Sequence, residues 1–309
     1  MLFVTDPDPL DLRQLEHALR ADDPAFLLAF DAAAAGLVRA GADGPVVVGV
    51  DDSPAARQAV RWAARHADAV RAELRIVHAF RWRAFPDEHG RAGMHDLDGQ
   101  EAAQGVARRA VELATVVAPA VTVDARVVSR SAAAAVVGQA AGGRLVVLGA
   151  GQRTASRTAL ALSTLARVTA SVTGPVVVVP PVEDVRSALT GRPVVVHLDG
   201  GPTSAAVLRL AFEVARSQAA PVHVLCSPDA RDRVGELLAG PGRPLPDVEV
   251  VRRTVAGDPL DALREACDGA AAVVVDRALA RLHAPRRGGG ARRLLAVARC
   301  PVVLTARTS

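Results

Sequence analysis

The feature that most constrains this chain is that it repeats itself. Pro45-Val46-Val47-Val48-Gly49-Val50-Asp51 returns 148 residues later as Pro193-Val194-Val195-Val196-His197-Leu198-Asp199. The register then holds without a gap: Ser53-Pro54 falls on Gly201-Pro202, Val60-Arg61 on Leu208-Arg209, and Leu74 to Val77 on Val222 to Leu225. An unbroken match over about 30 residues points to duplication. Two units sharing 309 residues also agree with the size at which single cores stop growing.

Each copy opens with a run that is apolar at every position, which suits a parallel strand buried on both faces. A helix follows. In the first copy Ser53 is placed to cap it, Pro54 fits its first turn, and Ala56, Val60, Ala63, Ala67 and Val70 recur at helical spacing. The pattern predicts further strands at Leu74 to Phe80, Val121 to Val128, Arg144 to Gly149 and Pro175 to Val179. Helices are expected at Glu101 to Val117, Ala132 to Ala141 and Ser163 to Ser171, with a polar loop through Pro86, Gly90 and Gly99. In the second copy the strands fall near Val194 to Leu198, Val222 to Leu225, Val248 to Arg253, Ala272 to Val275 and Val302 to Thr305. Strands alternating with helices predict an α/β fold: two tandem, open, mostly parallel five-stranded sheets with helices on both faces. The expected organisation is an N-terminal helical extension at 1–44, a first domain at 45–180, a linker at 181–192 and a second domain at 193–309. In the extension, Leu10 to Arg20 reads as one helix and a second begins at Asp23-Pro24.

Composition removes several chemistries. All 37 basic residues are arginine, and the chain has no lysine, asparagine or tyrosine. A Walker-type phosphate loop, a pyridoxal Schiff base and a kinase strand lysine are therefore excluded. Any phosphate must be held by backbone amides, hydroxyls or arginine. Net charge is only +4 and aromatic residues make up 3%, so a nucleic-acid surface with stacking platforms is not expected. Cys226, Cys267 and Cys300 are widely spaced and suggest buried thiols, and the scattered histidines form no metal pattern. No apolar run reaches the roughly 20 residues that span a bilayer, and the opening residues lack a leader pattern, so the expected address is the cytoplasm.

In open parallel sheets ligands bind beyond the carboxyl ends of the strands. Asp51 and Asp199 occupy that edge after the first strand of each copy. Gly149 and Asp276 occupy it after the fourth. In the first copy Gly149, Gly151, Arg153, Ser163 and Thr164 supply small residues, a cation and hydroxyls near a helix start, a pattern suited to an anion. A turn with a capped helix explains the same residues, and Asp51 and Asp199 also read as helix caps. In the second copy Asp276 would repel a polyphosphate. Arg286, Arg287 and Gly288 to Gly290 read either as an anion-binding loop or as a solvated one.

Residues Pro45 to Pro180, and again Pro193 to Thr305, resemble the universal stress protein family. Val46-Val47-Val48-Gly49-Val50-Asp51-Asp52-Ser53 is similar to its opening motif, supported by Ile76 to Phe80, Leu145 to Gly149, Pro175 to Val179, Gly257-Asp258-Pro259 and Arg299 to Val303. The resemblance implies an adenine nucleotide alpha hydrolase-like fold. In its ATP-binding members a glycine, two residues, a glycine, nine residues, then glycine followed by serine or threonine mark the site. Counting from Gly149, Gln152 and Leu162 replace the second and third glycines, and Ser163 is retained. The resemblance thus implies ATP or ADP in the first domain, held by Asp51, Ser53, Gly149, Gly151, Arg153, Ser163 and Thr164, with Asp199 and a degenerate site in the second. It also implies pairing of the two domains within the chain through Val176 to Val179 and Val302 to Thr305, with a homodimer left open. No metal or membrane partner is expected. No nucleophile and base stand together, so the expected role is non-enzymatic. The alternatives are a nucleotide-independent dimerisation or interaction module and, on fold alone, a slow ATPase.

Overall fold

The computed structural model describes residues 43–80, 85–86, 92–94, 97–150, 164–181, 191–240, 248–277, 294–295 and 298–306. The expected N-terminal helices lie outside the described residues, as do Gly151, Arg153, Ser163 and the run Arg286 to Gly290.

The first copy runs β1 (Val46–Val50), α1 (Pro54–Val70), β2 (Leu74–Phe80), a small hairpin β3 (Phe85–Pro86) and β4 (Ala92–Met94), α2 (Leu97–Val117), β5 (Val123–Ser129), α3 (Ala132–Gln139) and β6 (Leu145–Gly149). Helical residues 164–171 and β7 (Val176–Val179) complete it. The second runs β8 (Val194–Leu198), α4 (Ser204–Gln218), β9 (Val222–Cys226), a 3-10 turn at Pro228–Ala230, α5 (Arg231–Ala239), β10 (Val250–Thr254), α6 (Pro259–Ala266), β11 (Ala272–Val275) and β12 (Val302–Leu304). Two details depart from the pattern read in the sequence. Part of the expected polar loop forms the hairpin, and α2 starts at Leu97, so Gly99 lies inside a helix. Tertiary contact overrides a single glycine's cost of about 1 kcal/mol.

Local chemistry sets the helix bounds. Ser53 is extended at φ −70°, and its Oγ accepts the Ala56 amide at 3.1 Å, with Pro54 at the first turn. Helix α1 ends where Arg71 turns left-handed at φ 54°, its amide closing back on the Ala67 and Asp68 carbonyls.

All the long strands join one sheet, in the order β10-β9-β8-β11-β12-β7-β6-β1-β2-β5. Counted within its own copy, each set of five runs fifth, fourth, first, second, third from the centre outward, with every pair parallel. The two sets meet at β7 and β12, which pair antiparallel with Val177 opposite Val303. The valine runs expected to seek a partner edge thus satisfy one another.

Side chains alternate between two buried faces, which is why these strands are apolar throughout. On one face α1 and α4 lie side by side, and a single core joins Val48 and Trp62 of the first copy to Val196 and Phe212 of the second. On the other face α3 and residues 164–171 cover the first five strands, and α6 covers the second five. His66 sits at the α1–α4 contact, fully buried and stacked on Trp62 with ring centroids 4.9 Å apart, its Nδ1 3.1 Å from Ser217 Oγ. Ser217 gives its proton to the Val214 carbonyl, so the Ser217 oxygen accepts from the histidine Nδ1–H. Burial, helped by the Arg144 charge, lowers its pKa to about 3.

Arg277, at the end of β11, crosses the junction. It is buried, and its guanidinium donates to the carbonyls of Val172 at 2.8 Å, Gly174 at 2.9 Å and Thr169 at 3.4 Å in the other half. A cation thereby meets the C-terminal carbonyls of helical residues 164–171, where the helix dipole favours it.

Candidate functional site

The described candidates gather where β1 and β6 end and α1 begins. Asp51 is exposed, and its carboxylate accepts the Ser53 amide at 3.2 Å, so the aspartate closes the turn that Ser53 then caps. His78, at the equivalent level of β2, approaches the Val50 carbonyl at 2.8 Å. A carbonyl only accepts, so His78 donates from Nδ1 and pins the strand end carrying Asp51.

Gly149 has a reason beyond room for a ligand. A Cβ there would lie 2.5 Å from the Ala55 carbonyl carbon and 2.7 Å from the Ala56 nitrogen. Only glycine lets the first turn of α1 sit directly on the end of β6, bringing that helix N-terminus into the crevice. Thr164 heads the described part of the helical stretch leading to β7 and is half-buried. Gly151, Arg153 and Ser163 lie outside the described residues.

The neighbour that sequence reasoning passed over is Asp52. It is left-handed at φ 62°, and Gly200, at the same place in the second copy, is left-handed at φ 72°. The same tight turn therefore follows the first strand of each copy. A residue with a Cβ pays on the order of 1 kcal/mol for that conformation. Around Asp52 the turn is braced by Arg109, 2.7 Å from its carboxylate, and by Arg57, which donates to its carbonyl at 2.8 Å. The signal available in sequence was the Asp52-to-Gly200 match within the repeat.

The second copy fills the corresponding crevice with its own groups. Asp199 Oδ1 accepts the Gly201 amide at 2.8 Å and the Ser204 hydroxyl at 2.9 Å. Partial burial works against its charge, but those hydrogen bonds, with smaller help from its own amide and His197, hold the carboxyl below its ordinary pKa. Asp276 stands where the first copy has Gly149. Its Oδ2 accepts the Thr203 hydroxyl at 2.6 Å, at the N-terminus of α4. An internal carboxylate thus takes the place at the helix start that an external anion would use.

Among the described residues no group of three histidines, cysteines or carboxylates is placed to hold a metal, and no described helix is long and apolar enough to cross a membrane.

The sequence profile of the Universal stress protein family matches residues 44–180. Universal stress protein Rv2623 of Mycobacterium tuberculosis is 31% identical over 187 residues, which cover 55% of this chain and 59% of that protein. The chain thus spans about three fifths of that relative's length. Among solved structures, a universal stress protein from Archaeoglobus fulgidus superposes with a TM-score of 0.61 at 14% identity, covering 86% of this chain and 99% of that one. A functionally unknown protein from Pseudomonas aeruginosa superposes with a TM-score of 0.53 at 14% identity, covering 88% and 94%. At such identities the two structures speak for the fold.

Proposed function

Because this chain belongs to the universal stress protein family through residues 44–180, we propose that it is a stress-response protein that binds ATP or ADP in its first half only. The observation that carries this reading is the exchange of Gly149 for Asp276 at matching strand ends. In the first half the glycine brings the positive N-terminal end of α1, capped by Ser53, to the crevice mouth. In the second, the Asp276 carboxylate is bonded to Thr203 at the helix start. Phosphates entering there would meet a fixed negative charge.

In this reading Asp51 faces the base and ribose, Ser53 holds the α1 turn, and the segment carrying Gly151, Arg153, Ser163 and Thr164 covers the phosphates. The second half, with Asp199 occupied by Gly201 and Ser204, serves as the structural partner. At the first-half crevice the described Asp51 and Ser53 are engaged in closing and capping the α1 turn, so binding rather than turnover is the activity proposed.

One observation favours a second reading, an interaction module that needs no nucleotide. Gly149 is required by the Ala55–Ala56 contact even in the absence of a ligand. Calorimetric titration of the full chain with ATP and ADP separates the two. The first reading expects one nucleotide per chain, affinity lowered about tenfold by Asp51→Ala, the equivalent of about 1.4 kcal/mol, and little change with Asp199→Ala. Absence of binding at millimolar nucleotide, or loss of binding on Asp199→Ala alone, overturns it.

A further inference from the structure

The two halves leave a cleft of about 530 Å³ where the end of α1 meets α4, remote in sequence from the strand-end crevices. Ala69 and Val70, with the buried Phe212 beneath them, make its apolar floor, and Arg71, Arg144, Arg209 and Arg216 surround them with one carboxylate, Glu213. Glu213 is matched by Arg144 at 3.5 Å. Among the described residues Arg71, Arg209 and Arg216 form no ion pair, and all three are exposed. Arg209 and Arg216 are seven apart on α4 and Phe212 and Glu213 lie between them, so the four share one helix face. Three like charges around an apolar patch raise the local potential and call for an anionic partner that also has apolar surface.

The chain itself carries such a partner at the right place. Gly44 abuts the Gly142 carbonyl, and the Arg144 amide donates to the Pro45 carbonyl at 2.9 Å. The polypeptide preceding Asp43 therefore joins the fold beside an arginine that lines the cleft. That segment, residues 1–42, holds seven carboxylates (Asp6, Asp8, Asp11, Glu16, Asp22, Asp23 and Asp31) against three arginines, interspersed with leucines and phenylalanines. We propose that residues 1–42 dock in this cleft, their apolar side chains over the half-buried Ala69 and Val70 and their carboxylates against Arg71, Arg209 and Arg216. Tethering beside Arg144 keeps the segment at high effective concentration, so modest individual contacts suffice. Because Arg71 and Arg144 belong to one half and Arg209 and Arg216 to the other, the docked segment straps the halves together. The proposal is independent of nucleotide binding.

Hydrogen exchange on the full chain tests it. Amides within residues 10–40 should be protected in the parent protein. Arg209→Glu with Arg216→Glu should lower that protection about tenfold, since several pairs of up to about 1 kcal/mol each are reversed. Changing the seven carboxylates to asparagine or glutamine should lower it similarly, and the two sets combined should give less than the sum of their effects. Arg130→Glu, beyond the far edge strand β5, should leave it unchanged. Unprotected amides in the parent chain, protection indifferent to the Arg209 and Arg216 changes, or full additivity of the two sets would overturn the proposal. So would binding of inorganic tripolyphosphate that depends on Arg209 and Arg216 yet leaves exchange in residues 10–40 unaltered, which would mark the cleft as a small-anion site.

Discussion

Arg277→Met should cost about 3 kcal/mol of unfolding free energy, and the structure supplies the accounting. Two short charge-assisted hydrogen bonds, to Val172 and Gly174, are lost. Such bonds contribute about 1.5–3 kcal/mol each. Their acceptors belong to buried residues, so the deserted carbonyls keep part of their desolvation penalty. Against this, freeing a long side chain returns up to about 2 kcal/mol of rotamer entropy, and methionine retains most of the apolar stem. The balance is a loss of about 3 kcal/mol, shared by both halves because the donor and acceptors lie on opposite sides of the β7–β12 junction. Urea unfolding followed by far-ultraviolet dichroism measures it, with the midpoint shifting and the slope constant if the chain still unfolds as a unit. Arg277→Lys should fall between, since a single ammonium cannot span Val172 and Gly174 as the guanidinium fork does. A methionine variant within about 0.5 kcal/mol of the parent, the range of ordinary surface changes, would refute the claim that this arginine ties the halves.

Three further outcomes follow from the same packing. Val303→Asp buries a carboxylate opposite Val177 at the central strand pair and should cost more than about 4 kcal/mol by urea midpoint, while Val116→Asp, 79% exposed on α2, should stay within about 0.5 kcal/mol. Gly149→Ala should lose about 1–3 kcal/mol in thermal unfolding even without nucleotide, since its Cβ meets Ala55 and Ala56 backbone. His66 has a folded pKa of about 3 against 6.5 unfolded, so the unfolded chain binds the extra proton between those values and stability falls as pH drops through that window, by about 1.4 kcal/mol per unit. His66→Leu should flatten the slope between pH 6.5 and 4, and an unchanged slope would reassign it.

Much of the fold was legible because duplication and period are local signals. Wholly apolar runs such as Val46–Val50 announce strands buried on both faces, and Ser53-Pro54 announces a helix start. Even the central pairing could be read, since Val176 to Val179 and Val302 to Thr305 end their copies' strand orders and would otherwise leave bare edges. What could not be read depends on contacts between residues far apart in the chain. Arg277 reaches carbonyls more than a hundred positions away, and nothing in its neighbourhood sets it apart from the other arginines. His66 reads as one polar residue on an amphipathic helix until α4 is known to lie against it. At the site, sequence located Asp51, Ser53, Gly149, Asp199 and Asp276 at or just after strand ends but not the contacts that two of them make. Gly149 reads in sequence either as room for a ligand or as part of a turn, and the α1 backbone it admits at Ala55 and Ala56 shows only in the structure. Asp276 reads as a repulsive charge, and the Thr203 hydrogen bond that fixes it in place shows only in the structure.

That last distinction decides how the two halves diverge. If Asp276 only repelled phosphate, replacing it with glycine would reopen the second crevice. The repeat register sets Gly201 on the capping Ser53 and Thr203 on Ala55, so the start of α4 lacks the serine whose hydroxyl accepts an amide in α1 and carries instead a threonine whose hydroxyl donates to Asp276. The two helix N-termini therefore present different side chains as well as different charges. Restoring a phosphate site in the second half requires two positions to change, Asp276 to glycine and Gly201 to serine. Asp276→Gly alone should leave nucleotide stoichiometry at one per chain.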